Sequence, residues 1–365
     1  MTAATAPTSK DPVFERLVET TRRRGFEDVA GRLEDLGEWL SQDLEPLERS
    51  LAEAAEGRGD VAGRAAGHLL LQPGKRIRPL CVLLAARLTD RPLARERVKD
   101  LASAAELVHA ATLLHDDVLD EGTERRGAPT ARMLFGNSAS VLGGDHLLIE
   151  ALRRVERSGT SELRRSLLDV ISAMISAEAL QLERRGAAMG ALIAQGRGGE
   201  ALEAYYFEVV RGKTAALFRW ALAAGAELAG LSPPLAESLV RAGEGVGIAF
   251  QLVDDRLDLT GDPAETGKDA LRDLAEGKAT WPLIHALGRD AALGGEVARH
   301  LGGERGALSL QALARRVSAT GAAEATTEKA QAFAQQALAA LEPLAGRPAQ
   351  KAFATLIAAL LKRKA

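Results

Sequence analysis

The chain has 365 residues, 47 Lys+Arg against 50 Asp+Glu, a formal charge of −3 and one cysteine, a length that allows one large domain or two ordinary ones. The near-neutral balance removes the electrostatic argument for nucleic acid as the main partner, and the lone Cys81 excludes an intramolecular disulfide framework and a cysteine-based zinc site. Hydrophobic residues make up 46%, aromatics only 4%, and there are 69 alanines, a bias that favours helices over strands.

Met1 to Lys10 lacks the basic-then-apolar order of a secretion signal, and residues 1–11 read as a flexible tail. Within 12–58, Phe14, Leu17 and Val18, then Leu33, Leu36, Trp39 and Leu40, recur at three- and four-residue steps. That period predicts amphipathic helices, expected at the periphery of the domain. A further helix ends at Pro73-Gly74, ahead of the basic cluster Lys75, Arg76 and Arg78. The helical run from Asp100 to Leu119 breaks into the polar stretch Gly122 to Pro129. Patterning resumes over Leu134 to Val155 and Leu163 to Leu182, and the Gly/Ala-rich segment 186–199 is expected to be a floppy loop.

The helix from Glu200 to about Leu228 carries Gly212 in its middle, where glycine costs about 1 kcal/mol relative to alanine and marks a kink or a close approach. Ser232-Pro233-Pro234 opens the next helix. That helix runs from Leu235 to Leu259 and is stopped by Thr260-Gly261-Asp262-Pro263. Helices continue to Lys362-Arg363-Lys364. No strand-period segment exceeds four or five residues, and the longest apolar stretches, such as Ala352 to Leu361, fall short of the roughly 18 residues of a membrane span. The expectation is one all-α domain over 12–365, a helical bundle with a cavity between long central helices, soluble and cytoplasmic.

Two acidic pentads end apolar helices: Asp116-Asp117-Val118-Leu119-Asp120 and Asp254-Asp255-Arg256-Leu257-Asp258. Four residues of helix advance about 400°, so the outer aspartates of each stack on one face. Like charges at that spacing repel, and the helix C-terminus disfavours anions further. Hard divalent cations compensate, since Mg²⁺ takes one or two carboxylates together with substrate phosphates; two facing pentads would clamp a diphosphate through such ions. Arg256 lies about 200° from Asp254 and is expected to point elsewhere.

Basic residues complete a diphosphate site. Lys75 and Arg78 lie upstream, Arg125 and Arg126 follow the first pentad, and Lys268 and Lys278 follow the second; arginine forks bind phosphate oxygens bidentately and lysines as point charges. His109 stands two turns before Asp116, nearly on the same face. His115, Trp39, Trp220 and Trp281 read as structural.

These blocks resemble the trans-polyprenyl (isoprenyl) diphosphate synthases, the all-α prenyltransferases of the isoprenoid synthase type. The resemblance rests on Pro73 to Pro79, His109 to Thr130, Gly212-Lys213-Thr214-Ala215, Gly247 to Asp258 and Gly277-Lys278-Ala279-Thr280, in the family's order across about 210 residues. It implies that Asp116, Asp117, Asp120, Asp254, Asp255 and Asp258 hold about three Mg²⁺ ions per active site with an allylic diphosphate. Lys75, Arg78, His109 and Arg126 would grip isopentenyl diphosphate. Arg125, Lys213, Lys268 and Lys278 would neutralise the allylic diphosphate, with Thr214 and Gln251 near the developing cation. The resemblance also implies a homodimer. Departures are Pro73 for a glycine, Arg256 inside the pentad, and Gly267 to Leu271, which lacks a glycine usual there.

The growing chain would run along the helix of the first pentad past Thr112, Ala111 and Val108. Small side chains there leave a tunnel open, and HAATLLHDD looks like the long-chain, quinone-tail synthases, with a geranylgeranyl- or farnesylgeranyl-length product as the alternative. A non-catalytic partner subunit and a terpene cyclase are the remaining readings.

Overall fold

In a computed structural model of the chain, the described residues are 15, 18–19, 21–23, 25–56, 59–72, 74–195, 199–261, 271–305 and 307–362. The expected tail at 1–11, Pro73, Lys268 and the basic end beyond Lys362 lie outside them.

The described chain is helical almost throughout. In order come α1 (Glu27–Glu56), α2 (Val61–Leu70), α3 (Ile77–Ala86), α4 (Arg95–Leu119), the two-residue strands β1 (Glu124–Arg125) and β2 (Ala128–Pro129), α5 (Ala131–Phe135), α6 (Asn137–Ser158), α7 (Ser161–Glu183) and α8 (Ala187–Ala194). Then follow α9 (Glu200–Val210), a π turn (Arg211–Ala215), α10 (Ala216–Ala229), α11 (Pro233–Thr260), α12 (Arg272–Ala275), α13 (Trp281–Leu287), α14 (Leu293–Leu301), α15 (Leu310–Ser318), α16 (Ala322–Ala340), a 3₁₀ turn (Glu342–Leu344) and α17 (Pro348–Leu361).

The chain divides into two compact units. The first comprises residues 1–164, 224–231 and 346–359, the second 165–223, 232–345 and 360–365. In the first, α4 and α6 pack along each other, with α2 against α6 and α1 against α2 and α4. Leu33, Leu40, Leu44 and Leu47 are fully buried, so α1 contributes core instead of lying at the periphery. Their stripe continues past Pro46, a residue that ordinarily breaks a helix, because burial of the apolar face outweighs the lost hydrogen bond.

In the second unit α11 packs along α16, around a core that includes Tyr206, Phe207, Ile248, Leu252, Trp281 and Leu313. The segment 186–199, expected as a floppy loop, instead contains α8, which packs on α14. Alanine-rich sequence favours that helix, Met189 and Ile193 are buried, and Gly190 admits the Ala298 carbonyl at the distance a Cβ would leave at 3.2 Å. Gly186, at φ +63, turns the chain into it and donates its N–H to the Gly277 carbonyl at 2.9 Å. A Cβ at Gly277, itself at φ +80, would stand 2.3 Å from the Gly186 nitrogen.

Candidate active site

In the first unit the acidic end of α4 meets a basic ribbon. β1 and β2 pair antiparallel, Arg125 opposite Ala128, through the two-residue turn Arg126-Gly127, both at positive φ, the conformation that a tight hairpin demands. The ribbon sets Arg125 against Asp117: Nε and Nη2 donate to Oδ1 at 3.0 and 2.8 Å. Asp117 is 3% exposed, so of the aspartates of the first pentad it is Asp116 and Asp120 that keep accessible surface. Arg126 donates to the Gln72 carbonyl at 3.2 Å. A Cβ at Gly74 would come within 3.1 Å of the guanidinium groups of both Arg126 and Arg76.

Arg76 departs from the reading of one uniform basic cluster. It is buried at φ +46, donating to Glu48, Glu106 and the Leu70 carbonyl. Lys75 on its one side is exposed, and Arg78 on the other is buried in the first turn of α3. Burial, then the positive charges of Arg78, Arg126, Arg125 and Arg76, hold the His109 imidazole well below its ordinary pKa. Arg76 and Arg125 already have carboxylate partners, Glu48 with Glu106 and Asp117 respectively, and the basic cluster as a whole is one that a phosphorylated ligand would complement. Next to His109 on α4, Val108 and Ala111 are buried, and the half-buried Thr112 donates its hydroxyl to the His109 carbonyl at 2.9 Å.

In the second unit Gly212 fulfils its expectation. The helix accommodates an extra residue as the π turn, and a Cβ on Gly212 would lie 2.7 Å from Ala177 Cβ and 3.0 Å from the Ala173 carbonyl. Such turns recur at functional sites. Lys213 pairs with Glu178 and donates to Gln181 Oε1 at 3.2 Å. Thr214 donates to Gln251 Oε1 at 2.9 Å, Gln251 Nε2 donates to Asp255 Oδ1 at 2.9 Å, and Tyr206 donates to Asp255 Oδ2 at 2.6 Å. Burial, then the nearby Asp273 charge, pushes the Asp255 carboxyl up to about 7.

Asp258 caps the chain beyond the undescribed segment 262–270: its oxygens accept from the backbone N–H groups of Arg272 and Asp273 at 3.1 and 3.3 Å. Burial and Asp273 push it up to about 8. Asp254 is half-buried. Arg256 turns to Thr327 on α16, donating at 3.4 Å, and Lys278 pairs with Glu276 at 2.8 Å. Tyr206, Asp273 and the Trp281 backbone N–H, 3.5 Å from Asp255 Oδ2, are site groups that the sequence reading missed; no local motif marks them, since they meet Asp255 only in three dimensions.

Among the described residues no three His, Cys, Asp or Glu side chains form a ready-made metal cage. An all-oxygen set of separate, partly exposed carboxylates nevertheless fits a hard divalent cation that completes its shell with phosphate oxygens and water.

The sequence profile of the polyprenyl synthetase family matches residues 60–308. The chain belongs to this family. Every motif residue described above lies within the matched span. This polyprenyl synthetase is 32% identical over 321 residues to the octaprenyl diphosphate synthase of Escherichia coli K12, covering 88% of this chain and 95% of that protein. It is 36% identical over 256 residues to component 2 of the heptaprenyl diphosphate synthase of Geobacillus stearothermophilus, covering 70% and 76%. Among solved structures, a polyprenyl synthase from Caulobacter crescentus CB15, complexed with calcium and isoprenyl diphosphate, superposes with a TM-score of 0.79 at 30% identity, covering 98% of this chain and all of that one. The protein is an all-α prenyltransferase.

Proposed function

We propose that this prenyltransferase condenses isopentenyl diphosphate with an allylic diphosphate in a Mg²⁺-dependent reaction and repeats the step to a long-chain polyprenyl diphosphate, the precursor of a quinone side chain. The observation that carries the reading is the meeting of the acidic end of α4 with the basic hairpin, where Arg125 donates to Asp117 and the Arg126 and Arg76 guanidinium groups lie side by side at Gly74. Lys75, Arg78, His109 and Arg126 grip isopentenyl diphosphate; Arg125, Lys213 and Lys278 neutralise the allylic diphosphate, as Lys268, outside the described residues, is expected to do.

Asp116, Asp120 and Asp254 would be the first ligands for Mg²⁺; Asp258 is partly exposed as well, but its oxygens already accept the Arg272 and Asp273 N–H groups. An ion held there would supply Lewis-acid stabilisation to the departing diphosphate. Thr214 and Gln251 face the allylic cation left behind, the isopentenyl double bond attacks it, and the proton lost passes to the released diphosphate. The product chain extends past Thr112, Ala111 and Val108.

The names of the octaprenyl and heptaprenyl relatives support the long-chain product. A cytoplasmic homodimer is the proposed assembly, supported by Leu142 and Ile149, two exposed apolar side chains seven residues apart on α6; the product is expected to bring the protein weakly to membranes, and no described helix is long and apolar enough to cross one. Purified protein incubated with Mg²⁺, radiolabelled isopentenyl diphosphate and dimethylallyl, geranyl or farnesyl diphosphate is expected to yield a chelator-sensitive ladder of extended products. Absence of labelled product with every primer overturns the reading, and products no longer than geranylgeranyl overturn the chain-length assignment.

A further inference from the structure

Asp255 is 2% exposed, and its oxygens are already supplied with donors. Oδ2 accepts from the Tyr206 hydroxyl at 2.6 Å and faces the Trp281 N–H at 3.5 Å, while Oδ1 accepts from Gln251 at 2.9 Å. Gln251 Nε2 is the donor to Asp255 Oδ1, so the Gln251 amide presents its NH₂ to Asp255. The reverse orientation would turn the Gln251 NH₂ towards the Thr214 hydroxyl and give up the bonds the amide makes to Asp255 and Thr214. With its NH₂ committed, Gln251 offers only its carbonyl to Thr214, and Thr214 spends its one hydroxyl hydrogen there, at 2.9 Å. What Thr214 has left is lone pairs.

We infer that Asp255, steadied by Tyr206, is a positioning residue that fixes the direction of the Gln251–Thr214 relay and is not a ligand of the metal. The inference rests on the prenyl-transfer reading above. Thr214 stands on the π turn beside Lys213, and an oxygen that turns lone pairs outward stabilises a developing allylic cation, whereas an outward hydroxyl hydrogen would repel it. Tyr206 reaches Asp255 from α9, the helix that leads into the π turn. The second pentad and the turn are thereby tied together at two points, Tyr206 on one side and Gln251 on the other. A residue with this role acts on the rate of ionisation and leaves substrate and metal affinity alone.

The test compares Asp255→Asn, Tyr206→Phe, Asp254→Asn and the double variant Gln251→Glu/Asp255→Asn. Steady-state kinetics are paired with calorimetry of Mg²⁺-linked binding of farnesyl thiolodiphosphate, an unreactive analogue. Asp255→Asn is expected to lower kcat by about 100-fold with KM for both substrates and Mg²⁺-linked analogue binding within about 3-fold of the parent, because an asparagine lets the relay reverse. Tyr206→Phe, which removes one hydroxyl and no volume, is expected to lower kcat by about 10-fold with the same binding profile. The double variant moves the carboxylate to position 251, where it accepts from Thr214 directly, and is expected to regain about 10-fold or more of the kcat lost in Asp255→Asn.

Loss of Mg²⁺-linked analogue binding in Asp255→Asn, as expected for Asp254→Asn, makes Asp255 a ligand and overturns the inference. A double variant no faster than Asp255→Asn also overturns it, as does a Tyr206→Phe protein with parental kcat, the readout that decides should Asp255→Asn not fold. Failure of the underlying reading shows separately, as a parent protein without Mg²⁺-dependent turnover.

Discussion

Arg76 Nη1 donates to Glu106 Oε1 at 2.8 Å, and both side chains are only 4% exposed. The bond joins the segment that carries Lys75 and leads into Arg78 on α3 to the helix that carries His109, three residues beyond Glu106. Arg76 also reaches Glu48 on α1 and the end of α2, which explains how a non-glycine residue keeps a left-handed backbone that costs about 1–2 kcal/mol. Arg76→Ala leaves Glu106 buried without this cation and is expected to cost about 3–5 kcal/mol. Urea denaturation measures it; a loss below about 1 kcal/mol, the scale of an exposed pair, would show that the pair is not a buried anchor.

His109 makes stability pH-dependent with a definite sign. Its folded pKa lies well below that of the unfolded chain, so the unfolded state binds more protons as pH drops through about 6.5. The contribution is fully present above that pH and is lost on acidification towards the folded pKa. His109→Gln, which cannot protonate, is expected to retain relatively more of its stability at pH of about 5.5 than at about 7.5. Parallel denaturation curves at both values check this, and an unchanged difference between the two proteins refutes it.

Gly247→Ala tests how tightly α11 abuts the π turn. The new Cβ would lie 2.5 Å from Ala215 Cα and 2.9 Å from its Cβ, and a backbone atom inside a helix has little room to retreat. Overpacking of about 1–3 kcal/mol is expected, together with a fall in kcat as Thr214 is pushed from Gln251. Thermal melting and steady-state turnover report the two effects.

Ala111→Phe tests the proposed route of the product. Ala111 is fully buried on α4, one turn and more before the first pentad, and a phenyl ring there is expected to shorten the major product. Chromatography of chain length decides, and an unaltered distribution removes Ala111 from the tunnel.

The all-α class was legible in the sequence because alanine content and three-to-four periodicity report directly on helices, and the family was legible because Asp116 to Asp120, Asp254 to Asp258 and the basic blocks are contiguous. The part played by each acid was not. Whether an aspartate faces solvent or a buried partner depends on residues far along the chain: Tyr206 meets Asp255 across 49 positions, and Glu48 meets Arg76 across 28. The loop expected at 186–199 failed for a related reason. Its glycines suggested freedom, yet Gly190 is small because α14 lies against it. The π turn is the intermediate case, since Gly212 announced an irregularity and only the packing against α7 gave its form.

The paired glycines 186 and 277 carry an evolutionary consequence. With a backbone hydrogen bond between them and no space for a side chain at position 277, they work as a rivet through two turns, one of which leads directly into Lys278. Insertions or deletions among homologues should therefore avoid both turns and collect elsewhere, because lengthening either one would drag Lys278, proposed above to meet the allylic diphosphate, out of register.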